Sequence, residues 1–315
     1  MKFCHAVLML PLFAIVITGC VPSNSNTNDR TGLTIYTSVY PIQYAVERIG
    51  GNAVHAETIY PPGVDAHTYE PSARKMTTIA EGDAFIYLGA GMEGFAETAA
   101  AALETQDVRL IEIGTNEELF HRATVEDQSH NHAGEHDGHS HHGPNPHIWL
   151  DPIRMLDMAG IIKEKLIAMQ PENKEQFIKN FKALKDDLQT LDHVFHDILQ
   201  AKENKKILVS HAAYDYWEER YGIEQIAISG LASNDEPSQK ELISIIDQAK
   251  KYDMDYILFE QNSSDRISEI IQEHIGAKGL AIHNLSVLTE ADINEGDDYM
   301  SLMKQNLDVL NQATD

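Results

Sequence analysis

The chain has 315 residues, which is enough for one large or two medium domains. Its 49 acidic residues outnumber its 24 basic residues, and the formal net charge is -25. This charge argues against nucleic acid as a partner, because the phosphates would be repelled. The chain also has 16 histidines but only two cysteines, Cys4 and Cys20, both near the N-terminus. Any metal site in the body of the chain must therefore use histidine and oxygen ligands.

The N-terminus carries a short apolar segment. Residues 6–17 are apolar without interruption, which is shorter than the roughly 20 residues that a spanning helix needs. The segment ends in Gly19-Cys20, and a cysteine after small residues resembles the bacterial lipobox. We therefore predict a signal peptide over residues 1–19, a lipidated N-terminus at Cys20 and a flexible tether over residues 20–32. The alternative is an ordinary cleaved signal peptide with a chance cysteine.

The first half of the remaining chain alternates short apolar runs with helical stretches. This alternation predicts a parallel sheet with helices on its faces. Ser72 is a suitable N-cap for a helix that begins at Ala73. The predicted strands are Leu33–Val39, Val54–Tyr60, Ala84–Leu88 and Val108–Ile113.

Residues 173–204 follow a different pattern. Seven apolar residues recur at steps of four and three, with charged and polar residues between them: Phe177, Phe181, Leu184, Leu188, Leu191, Phe195 and Ile198. The spacing predicts one long amphipathic helix. A coiled coil is the alternative, but the repeat stops after about three heptads. We expect a helix that connects two lobes.

The second half repeats the strand–helix alternation, and Ser238 with Glu241 forms a capping box at the start of a helix. The chain is thus predicted to be α/β, with two parallel sheets flanked by helices. The expected organisation is an N-terminal lobe over residues 33–172, a connecting helix over residues 173–204 and a C-terminal lobe over residues 205–315. The predicted strands of the second lobe are Lys206–Ser210, Gln225–Ser229, Asp255–Phe259 and Gly279–Ile282.

Three histidines stand in settings that suggest a ligand site. His67 follows the second predicted strand, His211 directly follows the fifth, and His147 lies between Pro146 and Pro152. Ligands of open α/β sheets bind beyond the carboxyl ends of the strands, and neutral imidazole is a good ligand for Zn²⁺. We predict that the three rings converge on one metal ion. The alternative is that each is an ordinary loop or core histidine.

Several motifs resemble those of the substrate-binding lipoproteins of bacterial zinc and manganese ABC transporters, of the ZnuA and AdcA type. The resemblance spans nearly the entire chain after Cys20. It implies that His67, His147 and His211 bind the metal between two lobes, and that the connecting helix is rather rigid. The motifs are Tyr40-Pro41, His67-Thr68-Tyr69-Glu70-Pro71, residues 146–152, residues 210–214, Glu236-Pro237-Ser238, Phe259-Glu260 and residues 299–307.

The resemblance also implies a monomer on the extracytoplasmic face of the cell membrane, held by a lipid on Cys20, that delivers Zn²⁺ to permease and ATPase subunits. The chain departs from the family at the fourth metal ligand, since Ser286 stands where many relatives carry a carboxylate. Water or Glu260 are the alternatives for that position. Nitrogen-rich ligation favours Zn²⁺, and Mn²⁺ is the competing metal.

A low-complexity segment over residues 128–143 carries six further histidines, His130, His132, His136, His139, His141 and His142. We predict that it collects zinc weakly, because ordering such a segment offsets the coordination energy. The alternative is a tolerated polar insert.

Other functions stay open from the sequence. A zinc hydrolase would also use three protein ligands and an open position, but no H-E-x-x-H motif is present and Glu260 is the sole candidate for a general base. We therefore predict no catalytic residues, no resident cofactor and no enzymatic activity. A surface role in cell adhesion or metal buffering is the third alternative.

Overall fold

The computed structural model describes residues 32–121, 143–231, 237–261 and 266–314. The predicted signal peptide, Cys20 and the six histidines of segment 128–143 lie outside these residues. The predictions for them are therefore not addressed by the fold.

The first lobe contains a four-stranded parallel sheet in the order β2-β1-β3-β4. Each strand begins within one residue of its predicted start, and each ends one or two residues early. Ser72 caps the second helix through its side chain, as predicted. The strands are β1 Leu33–Thr37, β2 Val54–Thr58, β3 Ala84–Tyr87 and β4 Arg109–Glu112, and the helices are α1 Tyr40–Gly50, α2 Ala73–Ala80 and α3 Ala96–Leu103.

The second lobe contains another four-stranded parallel sheet, in the order β6-β5-β7-β8. The capping box of Ser238 and Glu241 is present at the start of its second helix. The strands are β5 Lys206–His211, β6 Glu224–Ser229, β7 Tyr256–Glu260 and β8 Lys278–Ile282. The helices, numbered after the two long helices that precede this lobe in the chain, are α6 Asp215–Tyr221, α7 Gln239–Lys251, α8 Arg266–Ile275, α9 Glu290–Glu295 and α10 Tyr299–Ala313.

Two long helices follow the first sheet: α4 (Pro152–Met169) belongs to the first lobe, and α5 (Lys174–Gln200) connects the two lobes. The apolar stripe of α5 faces the core as predicted, although Phe181 within it is only half-buried. At the end of the helix Leu199 is fully buried, whereas the predicted Ile198 is only half-buried. The reason is that a straight helix has 3.6 residues per turn, so a stripe with a period of 3.5 drifts to the next residue.

The connecting helix α5 is packed along its length. It contacts α1 and α4 of the first lobe and α6 and α10 of the second. One cluster of buried apolar side chains runs through both lobes, from Ile35 on β1 through Phe195 on α5 to Leu310 on α10. Because interiors are close-packed, such a shared core resists hinge bending between the sheets. Among the described residues, no helix is both long and apolar enough to cross a membrane.

Candidate metal centre

The three predicted histidines meet at one point between the two sheets. The Nε2 atom of His147 lies 3.2 Å from that of His67 and 3.4 Å from that of His211. One possible ligand atom from each of the three rings lies within 4.8 Å of those of the other two. His67 lies in the loop after β2 of the first sheet and His211 ends β5 of the second sheet, so the site draws on both lobes.

These separations match the size of a zinc coordination shell. Zn²⁺ binds imidazole nitrogen at about 2.0–2.1 Å, so two nitrogens at tetrahedral angles lie about 3.3 Å apart. The two measured Nε2 separations, 3.2 and 3.4 Å, lie on either side of that value. Two edges of a zinc tetrahedron are therefore matched, and possible ligand atoms of the third pair, His67 and His211, lie within 4.8 Å of each other.

The environment of His147 selects the ring nitrogen that can bind metal. Its Nδ1 lies 2.8 Å from Oδ1 of Asn145, which also accepts the backbone N–H of His147. The amide of Asn145 is oriented by its Nδ2 group, which donates to the Ala212 carbonyl and to Asp215. Since Oδ1 only accepts, the Nδ1 of His147 carries the proton and its Nε2 presents a lone pair.

His211 is oriented in the same manner by a carboxylate. Its Nδ1 lies 2.6 Å from Oε1 of Glu260 at the end of β7. The same carboxylate accepts hydrogen bonds from the Tyr214 hydroxyl at 3.1 Å and from Nδ2 of Asn284 at 2.7 Å. A carboxylate behind a ligating imidazole fixes the ring and raises its basicity. Glu260 thus lies on the Nδ1 side of His211, with both oxygens engaged.

The loop that carries His67 is shaped by short-range contacts. Oδ1 of Asp65 accepts the backbone N–H groups of His67 and Thr68. The hydroxyl of Tyr60 donates to the Ala66 carbonyl, and the Tyr60 ring makes an edge contact with Tyr69. These contacts form a compact turn, because an aspartate accepting two following N–H groups replaces a backbone turn.

The short turn that carries His147 is held by the second lobe. It is a single 3₁₀ turn over Ile148–Leu150, followed by Asp151, which caps α4. Three aromatic side chains of the second lobe donate to carbonyl oxygens of the turn or of the residues just before it, each at 2.6 Å: Tyr216 to Asn145, Trp217 to Leu150 and Tyr299 to Trp149. Buried carbonyls need such partners, so the position of His147 depends on the second lobe.

The pKa values of the two buried histidines shift in opposite directions. Burial, together with the neighbouring His211 and His67 rings, holds the pKa of His147 well below its usual value. Burial alone would also lower the pKa of His211, but the Glu260 carboxylate, together with Asp65 and Asp215, more than offsets it and the net pKa is raised. His147 is therefore neutral at neutral pH, while His211 keeps its proton up to a higher pH than an ordinary histidine.

Access to the centre is restricted. His147 is 0 % exposed and His211 is 2 % exposed, while His67 is half-buried. Ser286 is buried as well, and its hydroxyl donates to Oδ1 of Asn284 at 2.8 Å. A closed site of this kind suits an ion better than a large substrate.

Two asparagines in this arrangement were not predicted as site residues. Asn145 orients His147 and Asn284 contacts Glu260, yet each is an ordinary polar residue within its local sequence. Asn145 lies two residues before His147 in a proline-rich motif, which is a weak signal. Asn284 lies more than seventy residues from His211 and has no local signal at all.

The chain resembles known proteins over almost its full described length. Residues 35–313 match the family model described as zinc-uptake complex component A, periplasmic. The zinc-binding lipoprotein AdcA of Streptococcus pneumoniae strain R6 is 33 % identical over 311 residues, covering 98 % of this chain and 61 % of the relative. The high-affinity zinc uptake system protein ZnuA of Bacillus subtilis is 28 % identical over 304 residues, covering 95 % and 94 %.

The solved structures agree. The Zn(II)-bound ZnuA-like domain of Streptococcus pneumoniae AdcA has a TM-score of 0.71 at 31 % identity, and the match covers 90 % of this chain and 99 % of that domain. AdcAII of the same species has a TM-score of 0.77 at 25 % identity. This chain spans only 61 % of the length of AdcA. The family model, by contrast, matches well over half of the chain, and the chain therefore belongs to the zinc-uptake complex component A family.

Proposed function

We propose that this chain captures Zn²⁺ between its two lobes and delivers it to an ABC metal importer. The observation that carries the proposal is the pair of Nε2 separations, 3.2 and 3.4 Å, among three histidines from distant parts of the chain. In this proposal His67, His147 and His211 are the metal ligands. Three nitrogen donors favour Zn²⁺ over Mn²⁺, which prefers more oxygen ligands and a higher coordination number. The names of the relatives, zinc-binding lipoprotein and high-affinity zinc uptake protein, support the same metal.

Transport fits the site better than hydrolysis. A catalytic zinc needs an open position that substrate can reach. Here His147 and His211 are buried, and both oxygens of Glu260 are engaged by His211, Tyr214 and Asn284. Glu260 is therefore poorly placed to act as a general base, and we propose no enzymatic role.

The proposed setting is the extracytoplasmic face of the cell membrane. The apolar segment over residues 6–17 and Cys20 support a lipid anchor there, as does the name lipoprotein of the AdcA relative. The proposed partners are a permease and an ATPase, with the chain itself a monomer. The proposed division is a first lobe over residues 33–172, a connecting helix over residues 173–204 and a second lobe over residues 205–315.

Equilibrium dialysis of residues 20–315 against Zn²⁺ and Mn²⁺ tests the proposal. We expect one tight zinc site per chain at neutral pH and much weaker manganese binding. Loss of zinc-limited growth on deletion of the gene, restored by added zinc, would support uptake over metal buffering or adhesion. A chain that binds no zinc tightly, or that binds manganese better, would refute the proposal.

A further inference from the structure

One five-residue segment, Asn284–Leu288, contacts the surroundings of all three histidines. It follows β8 in the second lobe. The carbonyl of Asn284 accepts the Trp149 indole N–H at 2.8 Å, the carbonyl of Ser286 accepts the Tyr40 N–H at 2.8 Å, and the carbonyl of Leu288 accepts the Gly63 N–H at 2.9 Å. All three donors belong to the first half of the chain, so the segment joins the two lobes beside the metal centre.

Asn284 is the member of this segment that reaches the ligands most directly. Its Nδ2 donates to Oε2 of Glu260 at 2.7 Å, and Oε1 of that carboxylate lies 2.6 Å from Nδ1 of His211. Its carbonyl holds the Trp149 indole, whose ring lies 5.4 Å from the ring of His147. One residue thus supports a ligand from each side of the cleft.

The orientation of the Asn284 amide follows from its partners. Oδ1 accepts the backbone N–H and the hydroxyl of Ser286, at 3.0 and 2.8 Å, and Nε2 of Gln261 at 3.2 Å. With three donors on the oxygen, the nitrogen must face the Glu260 carboxylate. An aspartate at this position would place a second carboxylate there, and like charges at that distance repel.

The backbone of the segment is held in an unfavourable conformation. Leu285, which is fully buried, has φ +60°. A left-handed conformation costs a non-glycine residue free energy, and it persists only when surrounding contacts over-determine it. The hydrogen bonds of Asn284, Ser286 and Leu288 are those contacts.

We propose that Asn284 is a positioning residue for the metal centre. Its amide keeps Glu260 against His211, while its carbonyl keeps Trp149 beside His147. The inference rests on the proposed function, since it concerns the same three histidines. Its physical basis is that outer-sphere partners orient ligating imidazoles, and their loss typically lowers metal affinity by about 10–100-fold.

The test is the substitution Asn284→Asp, with Asn306→Asp as its matched control. Asn306 is also buried near the end of β8, and its amide donates to the His283 carbonyl at 2.7 Å without contacting Glu260. Each variant loses one buried amide donor. We expect Asn284→Asp to weaken zinc binding by about 10–100-fold, and Asn306→Asp to change it by less than about twofold.

A double-mutant cycle with Glu260→Gln separates positioning from general destabilisation. If Asn284 acts through the carboxylate, Asn284→Asp should weaken zinc binding little further in the Glu260→Gln background. The absorption spectrum of the Co²⁺-loaded protein should change in Asn284→Asp and stay unchanged in Asn306→Asp. If Asn284→Asp fails to fold, Asn284→Ala is judged by the same criteria.

The outcomes are distinct. If Asn284→Asp binds zinc with the affinity of the unmodified chain, the inference is wrong. It is also wrong if Asn284→Asp lowers zinc affinity as much in the Glu260→Gln background as in the unmodified chain. Neither result would affect the proposed function. Failure of the unmodified chain to bind zinc would overturn the proposed function and the inference together.

Discussion

His67 and His147 are 80 residues apart in sequence, yet their Nε2 atoms lie 3.2 Å apart. Between them the chain completes the first sheet, passes through the segment 122–142 and returns in the turn before α4. Two imidazole nitrogens at this separation form one edge of a zinc tetrahedron. Each ring must therefore direct a nitrogen lone pair at the same point, and the following predictions test whether it does.

The first prediction concerns the ligands themselves. His147→Ala should weaken zinc binding by more than about 100-fold, because loss of a direct ligand exceeds the usual cost of losing an outer-sphere partner. His193→Ala, an exposed position on α5, is the matched control and should bind zinc normally. Competition titration with a zinc chelator measures both. Normal affinity in His147→Ala would show that the ring is not a ligand.

The second prediction concerns pH. Because the pKa of His211 is raised above its usual value, the metal-free protein keeps a proton on this ring up to a higher pH than an ordinary histidine, and zinc must displace that proton below the pKa. Zinc affinity should therefore be constant above the pKa of His211 and fall as pH drops through it. His147, with its lowered pKa, should add to the loss only at more acidic pH. Chelator competition from about pH 5.5 to 8.5 gives the profile, with usual histidine pKa near 6.5 as the reference.

Glu260→Gln provides the control for the pH profile. Without the carboxylate charge, the pKa of His211 should fall, because burial alone lowers it. The decline in affinity should then begin at a lower pH, although affinity at alkaline pH should also be about 10–100-fold weaker. An unchanged midpoint in this variant would mean that Glu260 does not control the protonation of His211.

The third prediction concerns the histidine-rich segment. Deleting residues 128–142 should leave the affinity of the tight site unchanged, because none of the three proposed ligands lies in the segment. It should slow zinc loading only when zinc is scarce. Stopped-flow measurement of the zinc-loading rate at low and high zinc compares the unmodified chain with the deletion variant. A chain in which the six histidines are replaced by serine is the length-matched control. A large loss of equilibrium affinity would contradict the separation of the two roles.

The fourth prediction concerns the joint between the lobes. Tyr299 is fully buried, and its hydroxyl donates to the Trp149 carbonyl at 2.6 Å. Tyr299→Phe leaves that carbonyl without this donor, which should lower the free energy of unfolding by about 1–3 kcal/mol. The hydroxyl of Tyr252 accepts an exposed hydrogen bond from Lys251, so Tyr252→Phe should change the free energy of unfolding little. Urea denaturation of both variants without metal makes the comparison, and equal stability would refute the prediction.

Local signals in the sequence were sufficient to predict the strands and several helices of this fold. The apolar runs predicted the eight strands found in the described residues, and the caps at Ser72 and Ser238 placed two helix starts. Such signals work because hydrophobic period and capping act within about ten residues. The histidines were recognisable for the same reason, since prolines and strand ends mark their surroundings.

Tertiary structure decided what the histidines can do. The proton on Nδ1 of His147 depends on Asn145, whose amide is oriented by residues of the second lobe. The position of Glu260 behind His211, and of Asn284 behind Glu260, brings together the ends of three separate strands. Metal binding is sensitive to differences of a few tenths of an ångström in the distances between ligands from such distant segments. Those distances result from packing of the whole core, which no short stretch of sequence records.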